Sequence, residues 1–121
     1  MVYNRIMLIG HVGTLPVTRG DDKKSVTFSL ATTEKWKNKK TGEMESKTLW
    51  HNVIAFHQSL IPIIEKYVHR GKKILVEGTI DYNEWTDKNE VQRKSTSIIA
   101  NTIKLLDSKG NAEKNVDEVE F

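Results

Sequence analysis

Only one stretch of this chain carries helical spacing, and it lies near the middle. Between Ser59 and Arg70, Leu60, Ile61, Ile64, Tyr67 and Val68 fall on one apolar stripe, as expected where a turn takes about 3.6 residues. Ser59 is placed to cap its start. Pro62 falls in the first turn, where no intrahelical donor is lost, and Gly71 suits the position just past the end. On either side the apolar residues recur with a period of two instead. A single central helix flanked by strands leaves few possible folds.

The strands can be placed from their alternation. Tyr3–Val12 is rich in Ile, Leu, Met and Val, with a bend or bulge suggested by Gly10 and Gly13 and an end to regular pairing at Pro16. GDDKK at 20–24 is a turn, and Ser25–Thr33 follows as a half-buried strand with Val26, Phe28 and Leu30 on one face, antiparallel to the run before the turn. Residues 35–47 are expected to form a loop or mobile hairpin tip. Thr48–Phe56 is the third strand. Its pleat puts Trp50, Asn52, Ile54 and Phe56 on one face and Leu49, His51, Val53 and Ala55 on the other, so both faces are expected to be covered. After the helix, Ile74–Trp85 alternates again, TDKNE at 86–90 turns, and Val91–Leu106 forms a last strand with a bulge near Asn101, where the apolar parity changes. At 121 residues the chain is expected to hold one domain, residues 1–106, followed by a disordered acidic tail at 107–121. Strand, strand, strand, helix, strand, strand is the order of an all-β, five-stranded Greek-key barrel, the OB-fold, with its helix between strands 3 and 4. A ferredoxin-like fold would need a helix between the first two strands, and residues 13–25 offer none.

The aromatic residues stand where a core does not need them. Trp36 sits among Lys35, Lys37, Lys39 and Lys40, with no apolar periodicity around it. Covering a sheet edge would explain it less well than stacking on a base. Spacing leaves Trp50 and Phe56 equally open to core packing and to binding. Trp85 stands at the mouth of a charged turn, beside Lys88, Arg93 and Lys94, and favours a surface role. Lys47 precedes Trp50, and Lys72 and Lys73 follow the helix. Flexible lysines neutralise a phosphate backbone without reading bases. Aromatic faces beside such charge predict salt-sensitive, sequence-tolerant binding of single strands.

Other chemistries find little support. There is no Cys, which excludes thiol catalysis and fits a reducing compartment. His51 and His57 lack partners at ligand spacing, so neither metal nor cofactor is expected, and His51 is better placed for packing or a subunit contact. No Walker loop, GxGxxG, paired carboxylates or Ser–His–Asp order appears, so an enzyme is not expected. No apolar run approaches membrane-spanning length, and the start lacks a signal-peptide layout. The net charge of +3 is unevenly spread: Glu113, Asp117, Glu118 and Glu120 oppose only Lys114 at the end, leaving +6 on the rest. That split suits a polyanion partner for the body, and equally a solvated surface with a charged end.

Several long stretches together resemble the bacterial and mitochondrial single-stranded DNA-binding protein family. NRIMLIGHVGTLPVTR resembles its opening strand. FSLATTEKW, KTGEM and TLWHNVIAF resemble its second strand, basic loop and third strand, and YVHRGKKILVEGTIDYNEWTD its helix end, fourth strand and aromatic hairpin. The resemblance implies an OB-fold homotetramer that wraps and protects single-stranded DNA in replication, recombination and repair, without catalysis. It places base-stacking aromatics at Trp36, Trp50, Phe56 and Trp85, and a subunit-interface histidine at His51. The acidic tip, Asp117, Glu118, Glu120 and Phe121, is implied to dock replication and repair proteins. This tip lacks the family's proline, and the long linker of bacterial members is missing. The compact end also resembles mitochondrial and phage-encoded members, so the implied location is the nucleoid-bearing cytoplasm or the mitochondrial matrix. The rival reading is an OB-fold assembly module of a primosome or translation complex with weak RNA binding. Such a module has no need of the four aromatics.

Overall fold

A computed structural model describes residues 1–21 and 24–106. The elements run β1 (Ile6–Val12), β2 (Val17–Arg19), β3 (Ser25–Lys37), β4 (Met44–Ala55), α1 (Ile61–Tyr67), β5 (Lys73–Thr86) and β6 (Gln92–Leu105). The first apolar run gives β1, which ends just before the break at Gly13–Pro16. Its short continuation, β2, pairs with β3 from Val17↔Thr27 to Arg19↔Ser25, the antiparallel neighbour expected across the turn. The sheet order β1-β5-β6-β4-β3 closes on itself through β1–β3, so five strands form a ring with β2 as an appendage. This is the OB-fold barrel, with its helix between the third and fourth strands of that ring.

Two ladders dominate. β3 and β4 pair from Val26↔Ala55 to Lys37↔Met44, and β5 and β6 from Ile74↔Leu105 to Thr86↔Gln92. Closure comes from two short seams: His11↔Ala31 with Val12↔Leu30, and a parallel pairing of Val53↔Ile98 with Ile54↔Ile99. The bulge expected near Asn101 is present: Glu77 pairs with Thr102 and Gly78 with Ala100, leaving Asn101 as the extra residue. Asn4 extends the β1 ladder with its side chain, accepting from Ile80 N–H at 3.0 Å and donating to Ile80 C=O at 2.9 Å.

Inward residues fill one core. Val26, Phe28 and Leu30 of β3 meet Val53 and Ala55 of β4, Ile74 and Val76 of β5, and Ile98 and Ala100 of β6. Helix α1 plugs the barrel with Ile61 and Ile64, aided by the flanking Leu60 and Val68. No helix among the described residues is long and apolar enough to cross a membrane.

Several expectations are corrected. Of the two readings of residues 35–47, the loop is replaced by the hairpin: β3 continues to Lys37 and β4 begins at Met44, leaving only a six-residue turn, 38–43. Polar side chains hid this, because a ladder is held by backbone groups and a ribbon wet on both faces needs no apolar alternation. The turn is built, not loose. Asn38 Oδ1 accepts from Lys40 and Thr41 N–H, Gly42 N–H donates to Asn38 C=O at 2.7 Å, and Gly42 takes φ of 78°. The helix is shorter than expected. Its N-cap is Leu60, with no side-chain cap bond, so Ser59 does not serve; Ile61 N–H instead bonds His57 C=O at 3.1 Å. Tyr67 leaves the apolar stripe and is exposed. Gly71 lies beyond the helix end, in a turn closed by Lys72 N–H to His69 C=O. Finally, β4 is covered on one face only: Val53 and Ala55 are buried, while Trp50, and Phe56 just past the strand, stand in solvent.

Candidate nucleic-acid interface

The pleat sorts the aromatic residues onto faces. With Val53 and Ala55 turned inward, alternation turns Trp50, Asn52 and Ile54 outward, and Phe56 continues the row just past the strand. Trp50 is 65% and Phe56 55% exposed. Asn52 ties this row to the neighbouring strand by donating from Nδ2 to the buried Ser97 Oγ at 3.2 Å. On the β5–β6 ribbon the outward set is Asp81, Asn83 and Trp85, with Trp85 directly opposite Arg93. Trp85 is about half exposed. Trp50 and Trp85, on the two strands that flank β6, therefore share the outward side of the barrel with Phe56. Trp36 does not. It pairs with Glu45 and has the parity of Leu30 and His51, so it lies on the opposite face of the β3–β4 ribbon.

The basic residues fall into three groups. Lys35 and Lys37 have the outward parity of Trp50, Lys39 and Lys40 cap the ribbon tip, and Lys47 lies on the other face opposite Glu34; all five are exposed. Around the β5–β6 turn, Lys88, Arg93 and Lys94 are exposed. Arg93 already has a partner, its Nε standing 2.9 Å from Asp87 Oδ2. Asp87 is a hub: hydrogen bonds from Val91 N–H, the Arg93 side chain and Asn89 N–H hold its carboxyl below the usual carboxylate range. Lys72 and Lys73 are half-buried at the start of β5. Val12 N–H donates to Lys72 C=O at 2.9 Å, which sets Lys72 beside the end of β1.

His51 is turned inward, opposite Leu30, with Nε2 2.8 Å from Thr32 Oγ1. Burial lowers its pKa from the ordinary 6.5, because charging the ring there would forfeit solvation. In the unfolded chain the ring takes a proton as pH falls through about 6.5, while the folded ring still resists it. Protonation therefore favours unfolding, and this contribution to stability is present above that pH and lost below it. Melting temperature is expected to fall between pH 7.5 and 5.5, and to fall less in His51→Gln, which keeps a partner for Thr32. Equal falls in both proteins would rule His51 out as the source.

Tyr82 is an exposed aromatic with no role assigned from sequence. It is 72% exposed, on the inward parity of β5 but above the barrel, where that side opens to solvent. With Asn83, Glu84, Lys94, Ser95 and Thr96 it lines an open depression of about 430 Å³. Its alternation with Ile80 was the same signal that marks core residues, and only the height of the barrel separates the two. Asp117, Glu118, Glu120 and Phe121, and the whole expected tail at 107–121, lie outside the described residues.

Comparison with known proteins agrees with this architecture. Residues 3–106 match the Single-strand binding protein family. The chain is 37% identical over 120 residues to the single-stranded DNA-binding protein of Rickettsia conorii, covering 94% of this chain and 79% of that one. It is 44% identical over 111 residues to the mitochondrial single-stranded DNA-binding protein 1-B of Xenopus laevis, covering 85% and 75%. Among solved structures, the Plasmodium falciparum SSB complex with ssDNA superposes with a TM-score of 0.81 at 34% identity, covering 88% of this chain and 97% of that one. With a match across nearly all the described residues and relatives this similar over most of their length, the chain belongs to the single-strand binding protein family.

Proposed function

We propose that this chain binds single-stranded DNA independently of sequence and shields it during replication, recombination and repair, without catalysing a reaction. One observation carries the reading: indole and phenyl faces stand open to solvent on the outward side of a barrel whose inward side already fills its core. Large flat groups kept in water at a cost to solubility suit ligands with flat apolar faces of their own, and unpaired bases are such ligands. Trp50, Phe56 and Trp85 form the stacking track, and Trp36 serves a strand passing to the far side of the β3–β4 ribbon. Lys35, Lys37, Lys39, Lys40, Lys47, Lys72, Lys73, Lys88, Arg93 and Lys94 neutralise phosphates. For Arg93 this means exchanging a carboxylate partner for a phosphate. The relatives are named for single-stranded DNA binding, and one related structure is a complex with it.

The same reading makes the working form a homotetramer with His51 near a subunit contact, and makes the acidic tip at 117–121 the docking point for replication and repair proteins. Since the relatives are bacterial and mitochondrial, the compartment is a bacterial cytoplasm or the mitochondrial matrix.

Adding oligo-dT at low salt is expected to quench the intrinsic tryptophan fluorescence, and raising the salt to reverse it as counterions compete for the phosphates. Little quenching at low salt, or equal affinity for a duplex of the same length, would sink the proposal.

A further inference from the structure

Gly13 is a glycine for a reason its backbone does not supply. The glycines that need positive φ are Gly20, Gly42 and Gly71, and Gly13 is not among them. At Gly10 and Gly78 a Cβ would overlap a carbonyl of the neighbouring strand, Ala31 or Ile99, so barrel packing demands those two. At Gly13 the space is taken by a side chain. A Cβ there would overlap Trp50 Cζ3, stand 3.1 Å from Cη2 and fall 2.8 Å from Ser29 Oγ.

The seat under that ring edge is held firmly. Gly13 N–H donates to Ser29 C=O at 2.8 Å. Ser29 N–H donates to Thr14 Oγ1 at 3.0 Å, and Ser29 Oγ lies 3.3 Å from the same oxygen. The far edge of the Trp50 indole therefore rests on a hydrogen-bonded shelf between β1 and β2, while the residue remains 65% exposed. One edge is fixed and the rest of the ring is open. That combination sets the tilt of an exposed tryptophan, which otherwise would be free to turn about two side-chain torsions.

We propose that Gly13 is a positioning residue for Trp50: the missing Cβ seats the indole edge and pre-orients the ring for a base. The inference rests on the reading of Trp50 as a stacking residue. Holding the ring ready removes an ordering cost that binding would otherwise bear. Alanine at this position would lift the edge off its shelf and make the ring adopt another tilt.

The test is a double-mutant cycle on the full chain with Gly13→Ala, Trp50→Ala and the pair, measuring oligo-dT affinity and melting temperature. Gly13→Ala is expected to weaken binding by about 2- to 13-fold, the equivalent of ordering one large side chain. In the Trp50→Ala background it is expected to cost nothing further. Equal losses in both backgrounds, or none in either, would overturn the proposal. If Trp50→Ala itself leaves affinity unchanged, the stacking site fails, and the role of Gly13 with it. A second variant covers the case in which Gly13→Ala unfolds the protein. The shorter ring of Trp50→Phe does not reach as far, so Gly13→Ala is expected to be tolerated beside it. A melting temperature that stays low in that pair would show that Gly13 serves the backbone rather than the ring.

Discussion

Truncating Trp50 to Ala is expected to weaken oligo-dT binding by about 1–3 kcal/mol, roughly 5- to 150-fold, while leaving the fold nearly as stable as before. The two halves of this expectation come from the two faces of β4. The inward face, with Val53 and Ala55 wholly buried, holds the barrel together. The outward face carries Trp50 with most of its surface in water, so removing the ring opens no cavity in the core. Affinity is read by titrating the variant and following the remaining tryptophans, Trp36 and Trp85. Stability is read by thermal melting. An affinity equal to the parent protein would remove Trp50 from the binding track. A melting temperature that falls with the affinity would assign the ring to packing instead.

The second large effect concerns the helix. Ile64→Ala is expected to cost about 2–5 kcal/mol of stability. Ile64 is 0% exposed, inside the cluster where α1 closes the barrel. Removing three carbons there leaves a void that strands on all sides cannot collapse to fill. Its neighbour Ile63 is an internal control: 40% exposed on the other side of the same helix, it is expected to lose no more than about 0.5 kcal/mol on the same change. Denaturant melts of the two variants decide the matter. Similar losses from both would mean that the cost does not come from the plug, and since alanine is the better helix former, helix propensity alone would predict a small gain in each. Weak binding by a folded Ile64→Ala protein would mean that the plug also shapes the interface.

How much of this was legible in the sequence depends on what each segment buries. Val26, Phe28 and Leu30, or Ile74 and Val76, alternate because one side meets a core, and they were placed from spacing alone. The parity change at Asn101 marked the bulge for the same reason: an extra residue swaps the faces of everything beyond it. Where neither face is buried, the signal vanishes. Lys35–Lys37 and Met44–Lys47 form strand ladders as regular as the rest, yet apart from Trp36 and Met44 their side chains are polar, and they read as a loop or hairpin tip. The aromatic positions were evident as exceptions to composition, but spacing alone did not assign their faces. That Trp50 points away from the core follows from its parity with Ile54 only once Val53 is known to be inside. That Trp36 lies on the other face from Trp50 depends on the register Trp36↔Glu45 across a turn whose length spacing could not fix. Gly13 was legible as a break in a strand, and its contact with a tryptophan far along the chain was not.

The two seams that close the barrel have a kinetic consequence. Each joins only two residue pairs, and the parallel one links segments distant in sequence, Val53 with Ile98. The β3–β4 and β5–β6 hairpins, by contrast, are zipped over their whole length from adjacent turns. Loop-closure entropy therefore weighs on the β4–β6 seam, and on the β1–β5 ladder that sets Ile6 beside Gly78, more than on hairpins that zip from their turns. The chain is built to fold as two ribbons that form early and meet late. When the folded barrel breathes, the cheapest opening is a parting of those ribbons along a seam rather than fraying within either one.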